Sequence, residues 1–377
     1  MEPRQFGEID EIGRDAWERL APRNFPFASF DYLRALEMSG VVGKDSGWLP
    51  VYLGVEHEDS LVGLSYLYVK DNSYGEYIFD WSWAQAFQRH GLPYYPKLTS
   101  AVPFTPATGP KLLIEPSAVA RDVAAVLIRQ AKELVAKGGM SSLHYLFLAP
   151  EEAPLFEASG MMLRHSFQYH WKNRDYRSFA DFLAELRPKK SRQIRREREQ
   201  LKEAGLEIEL LTGESLYPEH AAIFYRFYLA TIEKMGAIPY LNLDFFRLVF
   251  DTMRDRVVLL LAKDRGEAIA GSLFYRQGAH LYGRYWGASK DVRNLHFELC
   301  YYRAIEWAIG EGITLFEAGA QGEHKVARGF LPELTYSAHA ITHPAFSQAI
   351  DQFVAEEKAD IARLFTQMTD GSPYVSG

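Results

Sequence analysis

The sequence predicts an α/β chain made of two degenerate copies of one unit, each a mixed, mostly antiparallel sheet flanked by helices. Three observations point there. The 377 residues are too many for a single core at about 150 residues per domain. Residues 51–66 (VYLGVEHEDSLVGLSY) are echoed by residues 259–274 (LLLAKDRGEAIAGSLF), with Gly63 falling on Gly271. Each is an apolar strand, a charged turn and a second strand carrying a glycine. The same series then follows both hairpins: a third strand, an amphipathic helix ending near glycine, and another strand. The expected division is an N-terminal domain over 1–165 and a C-terminal domain over 166–377.

In chain order, the first hairpin precedes a segment that the second half lacks, residues 81–110, WSWAQAFQRHGLPYYPKLTSAVPFTPATGP. Five prolines, from Pro93 to Pro110, prevent a long helix there. Long connections inside compact domains are often functional, so this one is expected to form a wall or lid over the ligand site, with Trp81, Trp83 and Lys97 touching substrate. The alternative is aromatic side chains plugging the core. The first helix is expected over 119–137, ending at Gly138, with a strand over 142–148. An aromatic strand, FQYHW at 167–171, links the halves. Ser178 or Asp181 is expected to cap a short helix that Arg187 and Pro188 interrupt. In the second half the helix is expected over 297–309, before Gly312 and a strand at 313–317. A C-terminal helix is expected over 346–366, assigned with the second domain and able to pack back onto either.

Composition narrows the function. The chain is 47% hydrophobic and carries a net charge of -7, which argues against a general nucleic-acid coat. No apolar run approaches the roughly 18 residues of a membrane span. The acidic start lacks the basic and apolar pattern of a signal peptide, so a cytoplasmic protein without an integral membrane segment is expected. A lone cysteine, Cys300, leaves no internal disulfide. No Cys/His cluster has zinc spacing, so no metal is expected.

Three segments carry residues suited to chemistry. Residues 187–198, RPKKSRQIRRER, hold seven basic residues and one acidic one. On a helix Lys189, Arg192 and Arg196 share a stripe, and with Lys190 and Arg195 they are candidates for binding phosphate or tRNA. A solvated helix face is the other reading. Residues 316–330, FEAGAQGEHKVARGF, follow a parallel strand, where ligands of open α/β sheets bind. Small residues there let a substrate approach the backbone. Glu317 and His324 are candidates to take a proton, and Gln321, Lys325 and Arg328 to hold an anionic substrate. In residues 282–302, Arg284, Tyr285 and Trp286 lie on a strand and His296 at the next helix start, as further substrate-binding candidates.

These segments resemble the FemAB-like peptidoglycan biosynthesis/recognition family, a branch of the GNAT superfamily. The resemblance rests on FDWSWAQAFQRHGLPYYPKL, PFTPATGPKLL, RPKKSRQIRRERE, LYGRYWGASKDVRNLHFELCYY and FEAGAQGEHKVARGFLPELTYSAHAI. It implies tandem GNAT-like units (the acyl-CoA N-acyltransferase fold) and an acyl- or aminoacyl-transferase forming an amide bond on an amine acceptor, such as a cell-wall precursor peptide. Fem-type enzymes take the amino acid from aminoacyl-tRNA. By that likeness Lys325 and Arg328 would bind a precursor phosphate. Two departures bear on the donor. The helical arm of some Fem-type enzymes is missing, which weakens tRNA use. The stretch SKDVRNLHFE lacks the glycines with which GNAT acetyltransferases hold a pyrophosphate, which weakens acetyl-CoA. Aminoacyl-tRNA and acyl-CoA both stay open as donor substrates, with no tightly bound cofactor. Two alternatives remain: an acyl-CoA-dependent N-acyltransferase on a small amine or amino acid, and a non-catalytic protein that binds cell-wall fragments or a partner.

Overall fold

The computed structural model describes residues 1–117, 119–319 and 322–375. The chain divides into two compact units. Unit 1 comprises Met1–Ser166 and Leu334–Leu364; unit 2 comprises Phe167–Glu333 and Phe365–Gly377.

Unit 1 begins with β1 (Glu2–Phe6) and three short helices, α1 (Ile9–Ile12), α2 (Arg14–Leu20) and α3 (Phe30–Met38). The hairpin β2 (Leu49–His57) and β3 (Ser60–Lys70) follows, then α4 (Trp81–Arg89), β4 (Lys97–Ser100), β5 (Leu112–Ile114), α5 (Ala120–Lys137), β6 (Ser142–Leu148) and α6 (Ala153–Ala158). Strand β7 (Met162–Lys172) carries the chain into unit 2. The sheet order is β1-β2-β3-β4-β6, followed by a strand from late in the chain, β13 (Leu331–Ile341), with β5 also on β3. Every described pairing is antiparallel except β4 with β6, joined through α5. A parallel pair needs such a crossover.

Unit 2 runs through α7 (Phe179–Glu185), α8 (Pro188–Lys202), β8 (Glu207–Thr212), α9 (Pro218–Met235) and α10 (Leu243–Thr252). Then come β9 (Val257–Asp264), β10 (Glu267–Gln277), β11 (His280–Ala288), α11 (Leu295–Phe297), a π-helical turn Glu298–Tyr302 and α12 (Arg303–Gly310). They are followed by β12 (Leu315–Glu317), a 3₁₀ helix Glu323–Arg328, β13 (Leu331–Ile341) and α13 (Pro344–Asp370). Its sheet order is β7-β12-β11-β10-β9-β8, with β11 and β12 the parallel pair. Each unit thus has an antiparallel hairpin, a third strand, a helical crossover and one parallel pair, as the repeated series predicts.

Three expectations change. The C-terminal helix was assigned to the second domain, but residues 334–364 belong to unit 1. There β13 pairs antiparallel with β6, and Ile350 and Val354 of α13 bury against Trp83, Phe87 and Tyr94. The segment at 81–110 is no open lid: α4 packs its Phe87 ring 4.1 Å from Phe346 of α13. The correspondence of Gly63 with Gly271 does not survive in space. Gly63 lies three residues past the hairpin turn and abuts Val123 of α5, whereas Gly271 lies four past it and abuts Phe224 and Phe227 of α9. An odd offset turns a strand residue to the opposite face.

Candidate active site

The site of unit 2 arises where β11 and β12 part. Their pairing runs from His280 with Leu315 to Tyr282 with Glu317 and stops there. Beyond it, among the described residues, β11 pairs only with β10, and the register skips Arg284 between Gly283 and Tyr285. This bulge breaks the two-residue alternation of a regular strand, and bulges re-aim side chains. Gly283, Arg284, Tyr285 and Trp286 consequently all line one cavity of about 430 Å³.

The second wall is α9, which contributes Tyr228, Thr231, Ile232 and Met235. It sits against β11 because Gly287 has no side chain: a Cβ there would lie 1.9 Å from the Phe227 carbonyl oxygen. The third wall is the crossover, with His296, Cys300 and Tyr301. A π-helical turn displaces Cys300 and Tyr301 from a regular helical register, and such turns recur at functional sites. The loop after β12 closes the cavity with Ala318, Gly319, His324 and Lys325.

Electrostatics divide these residues. Lys325 is 3% exposed and its Nζ donates to the Gly319 carbonyl at 2.9 Å. Gly319 has φ of +84°, a conformation that glycine adopts without strain. Burial, with Arg284 nearby, pushes the Lys325 ammonium down to about 8. His324 is exposed at the cavity mouth, where its Nε2 and the Tyr301 hydroxyl share a hydrogen bond of 3.0 Å. Its pKa is lowered by desolvation and then by Arg328 and Lys325. His296, edge-on to Trp286 at 5.2 Å, is pushed down to about 4, chiefly by burial. Cys300 is pushed up to about 12 by burial, while Ser272 sits 3.4 Å from its sulfur. It is a poor nucleophile there.

The remaining sequence candidates fall elsewhere. Glu317 is 3% exposed, 3.6 Å from Arg284 Nη2, and does not line the cavity. Arg328 faces inward, pairing with Glu197 of α8 at 3.1 Å and stacking 3.4 Å over Phe297, so it is committed to joining loop to helix. Gln321 lies outside the described residues. On α8, Lys189, Arg192, Arg195 and Arg196 are exposed and Lys190 is half-buried, while Arg198 turns in to Glu298 and Glu306 at 2.9 Å each. The loop and the basic helix therefore do meet, but through Arg328 and Glu197.

Trp81, Trp83 and Lys97 belong to unit 1 and do not line this cavity. Trp81 packs on Tyr74, and Trp83 is buried edge-on to His339 at 5.1 Å. Lys97 is fully buried and donates to Ser73 and Glu76 at 2.8 Å and to Asp80 at 2.5 Å. A lysine with three internal acceptors is a structural charge, not a substrate contact.

Sequence reasoning missed the whole α9 wall, as well as Tyr301, Cys300 and Ser272. The signal for α9 was available: Pro218 at the helix start and Gly236, with φ of +60°, at its end bracket an amphipathic stretch.

A family model described as FemAB-like, peptidoglycan biosynthesis/recognition, matches residues 8–376. No curated protein sequence matches the chain. Among solved structures, FemX aligns with a TM-score of 0.54 at 13% identity, covering 93% of this chain and all of its own. The C-terminal DUF2156 domain of an Agrobacterium fabrum protein named as a lysylphosphatidylglycerol synthetase aligns with a TM-score of 0.57 at 11% identity, covering 98% and 100%. L-PGS from Bacillus licheniformis gives 0.51 at 11% identity, covering 85% and 95%. At these identities the likeness is one of fold.

Proposed function

Because this chain belongs to the FemAB-like peptidoglycan biosynthesis/recognition family, we propose that it transfers an acyl or aminoacyl group to an amine, with unit 2 as the catalytic unit. The observation that carries this reading is the cavity at the parted strands, with a buried cation, Lys325, inside and a weakly basic imidazole, His324, at its mouth.

The donor carbonyl lies with its oxygen toward Lys325 Nζ. The acceptor amine approaches past His324, which accepts the proton released as the C–N bond forms. The tetrahedral intermediate places negative charge on the carbonyl oxygen, and the ammonium of Lys325, held by Gly319, stabilises it without reorganising. Collapse breaks the carbonyl bond to the leaving oxygen or sulfur, which departs with the proton carried by His324. The products are an amide and a free hydroxyl or thiol. Positioning supplies much of the acceleration, since both reactants are held against one another.

Both aminoacyl-tRNA and acyl-CoA are compatible with this geometry as donors, and a cell-wall precursor peptide is the acceptor that the family suggests. The exposed stripe on α8 favours tRNA; the stretch at 289–298 has no glycine for a pyrophosphate turn. The test is transfer of radiolabel from charged tRNA or acyl-CoA to an amine-bearing muropeptide by the purified protein. Label in the peptide is expected, and absence of transfer with both donor classes would count against the assignment.

A further inference from the structure

The two ends of the cavity differ in chemistry, and the difference names a substrate class. The argument rests on the transferase reading above. On the α9 side, the polar atoms are already engaged within the protein. The Tyr228 hydroxyl accepts from the backbone N–H of Tyr240 at 3.0 Å and of Leu241 at 3.3 Å, and Thr231 Oγ1 donates to the Trp286 carbonyl at 3.0 Å. What α9 presents to the cavity is therefore ring and hydrocarbon from Tyr228, Ile232 and Met235. The lining also includes two cationic residues, Lys325 and Arg284.

No Asp or Glu is among the described lining residues. The Glu317 carboxylate stands outside the lining, by Arg284. A cationic side chain entering the cavity would be desolvated next to Lys325 with no carboxylate among the described lining residues to meet it, which is costly. Size argues the other way from charge. At about 430 Å³ the cavity is on the scale that holds a whole small ligand. A glycyl or acetyl group would leave most of the α9 wall untouched.

We infer that the α9 face of the cavity is the pocket for the acyl group being transferred, and that it selects a bulky, uncharged, apolar group over a small or a cationic one. The carbonyl then points to Lys325 and the hydrocarbon lies along Tyr228 and Ile232. Met235, 73% exposed, forms the outer rim. A thioester of coenzyme A presents such a group directly; an aminoacyl ester of tRNA presents it as the side chain, with its α-amino group entering as the free base.

Equilibrium binding of simple carboxylates to the full chain tests this without requiring turnover. Hexanoate and phenylacetate are expected to bind at least about tenfold more tightly than acetate, because each buried methylene adds to affinity. They should exceed 6-aminohexanoate, which is hexanoate with a cation at its tip, by a similar factor. Met235→Glu, at a surface position that tolerates the change, should weaken hexanoate and strengthen 6-aminohexanoate. Equal binding of acetate, hexanoate and 6-aminohexanoate, or no binding by any of them, overturns the inference. Transfer assays separate the sources and the two readings. Phenylalanyl-tRNA and phenylacetyl-CoA distinguish ester from thioester, with glycyl- and lysyl-tRNA as the disfavoured donors. Preferred transfer of glycyl or lysyl groups overturns the pocket while leaving the transferase. Selective hexanoate binding with no transfer from any donor supports the pocket and removes the transferase.

Discussion

At the mouth of the cavity, His324 is held as a free base by its surroundings. Desolvation and the nearby Arg328 and Lys325 charges lower its pKa below the ordinary imidazole value. A lowered pKa keeps the proton off at pH values where an exposed histidine is half charged, so the acid limb of transfer should fall below pH 6.5. His324→Gln should reduce kcat by about 10²-fold or more with little change in KM, since general bases contribute on that scale. A pH-rate profile whose acid limb stays in place in the variant would rule His324 out as the base. Lys325 sets the other limb. Its ammonium titrates at about 8, so oxyanion stabilisation should be lost as pH rises past that value. Lys325→Arg, whose charge does not titrate, should lower the rate yet extend activity to higher pH. The sequence made His324 and Lys325 legible because charged residues beside small ones after a strand are hard to place in a core. It misread Glu317 and Arg328 for the same reason. Charge does not reveal direction, and both point inward, to Arg284 and to Glu197.

At the scale of elements, the loop that carries His324 and Lys325 is held by one ion pair and one tail. Arg328, with its side chain 5% exposed, pairs with Glu197 of α8, which also accepts from the Tyr302 hydroxyl and from Gln193 Nε2. From the other side Tyr374 donates its hydroxyl to the Gly329 carbonyl at 2.7 Å. Removing one partner of a buried pair leaves an uncompensated charge, so Glu197→Leu should cost about 3 kcal/mol. The double variant Glu197→Leu/Arg328→Met should recover much of that loss, because no buried charge is then left without its partner. Denaturant unfolding of the two single variants and the double one measures the coupling; additive losses would mean that the pair does not hold the loop. This arrangement also explains what the sequence concealed. Helix and strand series were readable because period and turn chemistry are local. The wall formed by α9 was not, since it depends on Gly287 letting a distant helix rest on β11, and on a bulge at Arg284 that only pairing reveals. The aromatic segment at 81–110 misled for a related reason: richness in rings marks a core as well as a binding surface, and α4 was claimed by α13 from the far end of the chain.

Across the whole molecule, buried titratable groups give the two units different responses to acid. In unit 1, His144 is pushed down to about 3 and His339 well below its ordinary value, each mainly by burial. Below pH 6.5 the unfolded chain takes up protons that these imidazoles refuse, so each costs stability as pH falls, by about 1.4 kcal/mol per pH unit. Unit 1 also buries Glu76 and Glu152, both pushed up to about 7 by desolvation. Their sign is opposite. Between pH 7 and about 4.5 the folded carboxyls hold protons that the unfolded chain releases, so acid stabilises them. With His165 also lowered and Glu37 also raised, three groups of each kind oppose one another and roughly cancel. Unit 2 has His170, pushed down to about 3, and His296, to about 4, with His280 and His324 also lowered. Its buried carboxyls, Glu298 and Glu317, instead face Arg198 at 2.9 Å and Arg284 at 3.6 Å. Shifting from pH 6.5 to pH 5 should therefore loosen unit 2 and spare unit 1. Hydrogen exchange read by mass spectrometry, corrected for the intrinsic pH dependence of exchange, resolves the two. Peptides from β11, α12 and β12 should lose more protection than those from β6 and the part of β13 in unit 1. If unit 1 opens first, its carboxyls are ionised in the fold, and the balance argued for it does not exist.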